Sequence, residues 1–200
     1  NRDYIQVFLG LINKLDGPIE RFAIIQDPNH VRIHPDWNPP GVVYNDIALL
    51  YLEFSHPSWL NELLNVISLP NESDRLNSFV GVNATATGFG MTSDEPGSGT
   101  SIYLRYVNMT VISTSSCQNF WSQFVNDNNI CTNTLGGTST CAGDNGGPLV
   151  ATTDDERLIL VGVGSFRSGG GCTQGHPGFI LIFINLTLIL ISIYFLAVFT

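Results

Sequence analysis

The residues from Ser139 to Val150 constrain this chain more than any other stretch: Ser-Thr-Cys-Ala-Gly-Asp-Asn-Gly-Gly-Pro-Leu-Val. Glycines and a proline set around one acid and one amide suit neither a helix nor a strand interior. They describe a tight backbone loop carried on a β scaffold. Such a loop can aim several N–H groups at one point. A developing oxyanion at that point would be stabilised, which is a large term in acyl-transfer catalysis.

The rest of the composition agrees with a β scaffold. Only 12% of the 200 residues are charged and 20 are glycine, which fits a compact, turn-rich β protein with a sizeable core. The net charge of −9 makes nucleic acid and anionic membrane surfaces poor partners. Four cysteines and the Asn-x-Ser/Thr sequons at Asn71, Asn83, Asn108 and Asn185 point to an oxidising, secretory compartment, hence a secreted or extracellular protein. Four cysteines allow three pairings. None has the paired spacing of a zinc site, so neither a metal nor a cofactor is expected.

Along the chain, Tyr4 to Leu9 alternates as a half-buried strand ending at Gly10, and Gly17-Pro18 marks a turn. Arg21–Gln26 and Val31–His34 read as further short strands, followed by a loop through Pro39-Pro40-Gly41. Asp46 then opens the apolar run Ile47-Ala48-Leu49-Leu50-Tyr51-Leu52, at the mouth of a buried strand. Asn71-Glu72-Ser73-Asp74 reads as a polar linker after the apolar segment Leu60–Leu69. Strands are expected over Asn83–Gly90, Ile102–Ile112 and Leu158–Phe166, with a short helix over Ser116–Phe124. His30 and His34 have the spacing of a helix-borne metal pair, but Pro35 and the strand pattern oppose a helix. All four histidines, including His56 and His176, read as solvated loop residues.

The loop Gly143-Asp144-Asn145-Gly146-Gly147-Pro148 resembles the nucleophile loop of the chymotrypsin-like serine proteases, Gly-Asp-Ser-Gly-Gly-Pro. Asn145 stands where that family has its nucleophilic serine. Asn45-Asp46-Ile47-Ala48-Leu49-Leu50 resembles the motif of the triad aspartate, which holds the catalytic imidazole in one tautomer. Thr87-Gly88-Phe89-Gly90 is similar to the family's Thr-Gly-Trp-Gly, with Phe89 for Trp. The overall pattern looks most like arthropod chymotrypsin- and collagenase-like digestive proteases. The resemblance implies an all-β fold of two Greek-key antiparallel barrels. Residues 1–73 would form a partial first barrel and residues 74–178 the second, with an apolar tail over 179–200. It places the triad histidine before residue 1, so an incomplete first barrel is expected.

The resemblance also implies roles. Cys117 would pair with Cys131, and Cys141 with Cys172 around the loop. Gly143 would donate to the oxyanion, and Asp144 would pair with a new N-terminal amine after zymogen cleavage. Ser139 lies at the base of the specificity pocket, where a neutral hydroxyl favours an apolar or aromatic side chain over a basic one. Ser165-Phe166-Arg167 forms the wall that pairs with an extended substrate, and Gly178 completes the rim. The family has glycine where Arg167 stands, so a long side chain here crowds or crosses the entrance.

The resemblance ends near Phe179, and the 22 residues from Phe179 to Thr200 carry no charge. That length spans a bilayer. It also fits a cleaved glycolipid-anchor signal or AT-rich read-through past an exon boundary, and read-through is the preferred account. Phe179–Ile184 suits a final strand, whereas Leu186–Phe199 is apolar on every side. These features leave three functions open. The first is a non-catalytic, monomeric protease homologue that binds peptides or proteases. The second is an active secreted endopeptidase with an incomplete sequence. The third is a decayed gene product.

Overall fold

A computed structural model describes residues 4–16, 22–37, 44–52, 66–182 and 194–197. Its centre is a closed antiparallel barrel of six strands, built from residues 83 to 182. In chain order these are β5 (Asn83–Gly88), β6 (Arg105–Ile112), β7 (Asn129–Thr132), β8 (Pro148–Thr152), β9 (Leu158–Phe166) and β10 (Gly178–Ile182). They close in the order β10-β7-β6-β5-β8-β9. Alternation decides what fills the interior. Ala84 and Ala86 of β5, Met109 and Val111 of β6, and Leu149 and Ala151 of β8 share one cluster with Ile130, Ile159, Val161 and Phe79.

β9 is buried on both faces, and a bulge gives the second face its use. Leu149 pairs with Gly162, but Val150 pairs with Leu160, so Val161 is an extra residue on β9. A bulge shifts the alternation by one residue and re-aims the side chains beyond it. Ile159 and Val161 face the barrel core, while Val163 joins Leu160 in a separate cluster with Ile47, Ile67 and Leu69. That cluster seats the first part of the chain on the barrel. Ser165, two residues beyond Val163, is aimed the same way.

The first part forms two small sheets. β1 (Ile5–Phe8) pairs with β2 (Phe22–Ile25), and β3 (Val31–Ile33) pairs with β4 (Ala48–Tyr51). Ile5, Val7 and Val31 pack against the buried Ile25, Leu50 and Leu52. A third strand lies on β4's other edge: β11 (Tyr194–Ala197), antiparallel, with Ala197 opposite Ala48. The apolar tail was expected to have no seat beyond Ile184, so β11 is a departure. β4 would otherwise present an unpaired ladder edge, and an apolar segment of the same chain covers it. β10 also begins at the boundary drawn between barrel and tail, so the first residues of the apolar run belong to the barrel. Among the described residues, no helix is long and apolar enough to cross a membrane.

Other departures have local causes. The strand expected over Ile102–Ile112 starts only at Arg105, because residues 102–104 bond to the N-terminal segment instead. Lys14 N–H donates to the Ile102 carbonyl and Leu104 N–H to that of Ile12. The helix α1 runs Thr114–Trp121, capped by the Ser113 hydroxyl on the Ser116 N–H. It ends where Ser122 takes φ 48°, and Ser122–Phe124 continues as a 3-10 turn. The expected polar linker is pinned rather than loose. Asp74 is buried, accepts the Asn71 N–H, and receives Arg157 on both oxygens at 2.9 and 3.1 Å.

Candidate active site

Asp46 lies just before β4 and is buried, with 3% of its surface exposed. The Ser165 hydroxyl, aimed at it by the β9 bulge, donates to its Oδ2 at 2.7 Å. Burial pushes the Asp46 carboxyl above its ordinary value, and the Ser165 hydrogen bond partly offsets this. A small cleft opens beside Asp46, lined by Ile33, Trp37, Ile47 and Ala48.

The loop from Cys141 to Pro148 is fixed to the same strand. Gly146 N–H donates to the Gly164 carbonyl at 2.8 Å, and Gly164 N–H returns a bond to the Gly147 carbonyl at 2.9 Å. Asn145 is therefore one residue from a backbone clasp on Gly164, and the next residue along β9 bonds Asp46. Asp144 closes the loop onto the neighbouring turn. Its Oδ1 accepts the Gly90 N–H at 2.7 Å and its Oδ2 accepts the Cys141 N–H at 2.8 Å. A Cβ at Gly88 would lie 2.0 Å from Asp144 Oδ1, and one at Gly90 would lie 2.4 Å from the carboxylate. Both glycines of Thr87-Gly88-Phe89-Gly90 are there to admit this acid. Gly143 sits at φ +94°, with Thr100 Cγ2 3.0 Å from where a Cβ would be, so no larger residue fits.

Two disulfides hold the frame, Cys117–Cys131 and Cys141–Cys172. The first ties α1 to β7. The second joins the loop's base to the segment before β10. Ser139, half-buried, donates its hydroxyl to the Thr140 carbonyl at 2.9 Å. Phe166 packs edge-on against Trp121, ring centroids 5.6 Å apart. Arg167 turns back on its own segment, Nη1 donating to the Ser168 carbonyl at 3.0 Å. Gly178 opens β10 opposite Thr132.

One acid here escaped the sequence reading. Asp94, in the Gly/Pro/acid loop 93–100, accepts the backbone N–H of Cys172 and of Thr173 and the Thr173 hydroxyl. These donors, with the Arg167 charge, hold its carboxyl below the usual range. Its partners lie 78 and 79 residues away, so no local pattern could reveal it. Asp94 gathers with Cys141 and Cys172, but both sulfurs are in the disulfide and offer no thiolate to a metal. The three described histidines lie outside the strands, partly exposed, and each has a partner. His34 Nδ1 accepts the Asp36 N–H, His30 packs edge-on against Tyr51, and His176 is half-buried against Phe120 with Ser168 on Nδ1. His56 lies outside the described residues.

The family model for Trypsin matches residues 2–189. The chain belongs to the Trypsin family. It is 44% identical over 140 residues to "Serine protease 1" of Drosophila melanogaster, covering 68% of this chain and 48% of that protein. It therefore spans about half the length of that relative. It is 31% identical over 174 residues to "Brachyurin" of Leptuca pugilator, covering 87% of this chain and 70% of that one. Among solved structures, an HL collagenase superposes with a TM-score of 0.74 at 28% identity, covering 90% of this chain and 71% of that one. The fold is the two-barrel chymotrypsin type. Residues 83–182 form its closed barrel, and β1–β4 with β11 represent the other half. The arthropod relatives agree with the resemblance read from the motifs.

Proposed function

We propose that this chain is a secreted, monomeric, non-catalytic member of the Trypsin family that binds peptide or protein segments without cutting them. Asn145 carries the reading. A carboxamide is no nucleophile near neutral pH and forms no acyl-enzyme, whatever base lies beside it. In a measured triad system, loss of the nucleophile alone lowers kcat by about a million-fold. The surroundings support retention of a binding surface rather than of chemistry. Asp144 is seated, Gly146 and Gly147 clasp β9, and Asp46 keeps its Ser165 partner.

In this reading Asp46 is the triad acid, Gly143 the oxyanion donor and Asp144 the activation partner. Ser165-Phe166-Arg167 is the edge along which an extended segment lies. Ser139 at the pocket base carries no charge, so an apolar or aromatic side chain suits the pocket better than a basic one. Arg167 stands where the family has glycine, with its guanidinium folded back onto the Ser168 carbonyl.

The test is covalent labelling. Purified chain is treated with a fluorophosphonate and with chromogenic peptide esters, and peptides differing only in Phe or Arg are titrated onto it. No label, no turnover, and tighter binding of the Phe peptide are expected. Stoichiometric label at residue 145 sinks the non-catalytic reading; preference for Arg sinks the pocket reading.

A further inference from the structure

The antiparallel register of β5 and β6 sets two sequons face to face. Asn83-Ala84-Thr85 lies against Asn108-Met109-Thr110, with Asn83 opposite Thr110 and Thr85 opposite Asn108. Ala84 and Met109 point into the barrel core, so both acceptor asparagines point out, and both are exposed. The two sequons interlock. Thr110 Oγ1 donates to Asn83 Oδ1 at 2.9 Å, and Thr85 Oγ1 donates to Asn108 Oδ1 at 2.8 Å. Each amide is held by its carbonyl oxygen alone. The nitrogen, which is the atom an N-linked sugar would occupy, plays no part in either bond.

From this juxtaposition we infer that the outer face of β5 and β6 is the N-glycan-bearing face of the protein, and that a folded molecule carries one glycan there, on Asn83 or on Asn108. In the transfer, the asparagine Nδ2 displaces a lipid diphosphate from C1 of its oligosaccharide. The N–C1 bond forms, the C1–O bond breaks, the lipid diphosphate leaves with the electron pair, and Nδ2 gives up one proton. The product keeps its carbonyl oxygen, so the threonine hydrogen bond survives and the barrel register is undisturbed.

Spacing sets the number. Diagonal neighbours on an antiparallel pair are about 7–8 Å apart, less than the width that two branched oligosaccharides need. Along the unfolded chain the acceptors are 25 residues apart, from 83 to 108, and each is reachable. A chain modified at both meets the crowding only when β5 and β6 pair. Doubly modified chains are therefore depleted from folded material.

Position makes the modification compatible with the site. Asn83 is five residues from Gly88, which touches Asp144. At strand rise that is about 16 Å. Asn108, opposite Thr85, is three residues from Gly88 by register, about 10 Å, so both attachment points stand clear of the Asp144 contact itself.

The inference rests on the secretory reading above, and the experiment separates the two. The full chain is expressed in insect cells behind a cleavable secretory leader, with Asn71→Gln and Asn185→Gln so that only this pair can report. Disulfide-bonded, protease-resistant protein is collected from medium or cells. Its intact mass is measured before and after peptide N-glycosidase in heavy-oxygen water, which marks each occupied asparagine. One glycan per molecule is expected, divided between the two positions. Asn83→Gln should move it wholly to Asn108, and the double substitution should abolish it. Folded protein with no glycan, or with two, overturns the inference. Retention of the natural gene product inside cells, expressed with its own flanking sequence, would instead overturn the secretory reading and leave this result standing.

Discussion

At Asp46 the environment works against the charge. The carboxyl is buried and its acidity is weakened by desolvation, with one hydroxyl as compensation. An acid whose folded pKa exceeds its unfolded one binds more protons when folded. Stability therefore falls as pH rises from the ordinary value of 3.8 through the raised one. At neutral pH the ionised group is a net cost. Asp46→Asn keeps an oxygen for the Ser165 hydroxyl and removes the charge. Urea unfolding should find the variant more stable than the parent at pH 7, by about 1–2 kcal/mol for relief of a buried charge with a single partner. The margin should shrink as pH drops toward 4. A variant less stable at pH 7 would mean that groups beyond Ser165 stabilise the carboxylate. The opposite sign holds at Asp155. Arg157, then Thr153, lowers its pKa to about 2, so its contribution is present above the ordinary 3.8 and is lost progressively as pH falls from there through about 2. Residue-scale chemistry was legible where it depends on a local run. Asp46 before an apolar strand and Asn145 within a glycine loop are both visible in a few consecutive letters. Asp94 and the Ser165–Asp46 bond were not, because their partners are brought in by register over 78 and 119 residues.

Strand pairing decides what each element does, and here the sequence was less informative. The alternation in β5 and β6 shows which side chains face the core. It does not show that two sequons will meet across the ladder, since that needs the register. The bulge at Val161 was likewise hidden. Leu158 to Phe166 is apolar throughout most of its length, and an unbroken apolar run carries no phase. The tail was opaque for the same reason. Its composition argued for an anchor or read-through, and nothing in an apolar run announces that four of its residues suit the open edge of β4. Taken alone, a run that is apolar on every side reads as an aggregation hazard whose deletion raises solubility. With β11 paired to β4, a chain ending at Ile184 should instead lose a few ladder hydrogen bonds, each worth about 1 kcal/mol. Hydrogen exchange of a peptide covering Ala48–Tyr51 reads this directly. Faster exchange in the shortened chain, with β8 and β9 unchanged, is expected. Unchanged protection in β4 would show that β11 contributes nothing to the sheet.

Across the whole molecule, two halves meet through one face of β9. Leu160 and Val163 pack against Ile47, Ile67 and Leu69, and Ser165 reaches Asp46 from the same face. Ile159 and Val161, on the other face, belong to the barrel. The barrel has its own closed ladder and its own core, whereas the sheets of β1–β4 rely on this contact as well as on their small cluster around Leu50. A cavity cut on one face of β9 should thus be felt differently from one cut on the other. Leu160→Ala removes a side chain that is 6% exposed in the contact, and Leu149→Ala one that is fully buried in the barrel. Each should cost about 2–5 kcal/mol where it is felt. For Leu160→Ala the loss should appear in native-state hydrogen exchange as earlier opening of β3 and β4, with the barrel strands keeping most of their protection. Leu149→Ala should lower the protection of β5, β8 and β9 together. The barrel is the platform for the Asp144 loop, so Leu160→Ala should leave that loop's exchange nearly unchanged while loosening Asp46. Equal acceleration of barrel and first-half strands in Leu160→Ala would mean that the molecule opens as one cooperative unit, and that the β9 contact is not the seam between two.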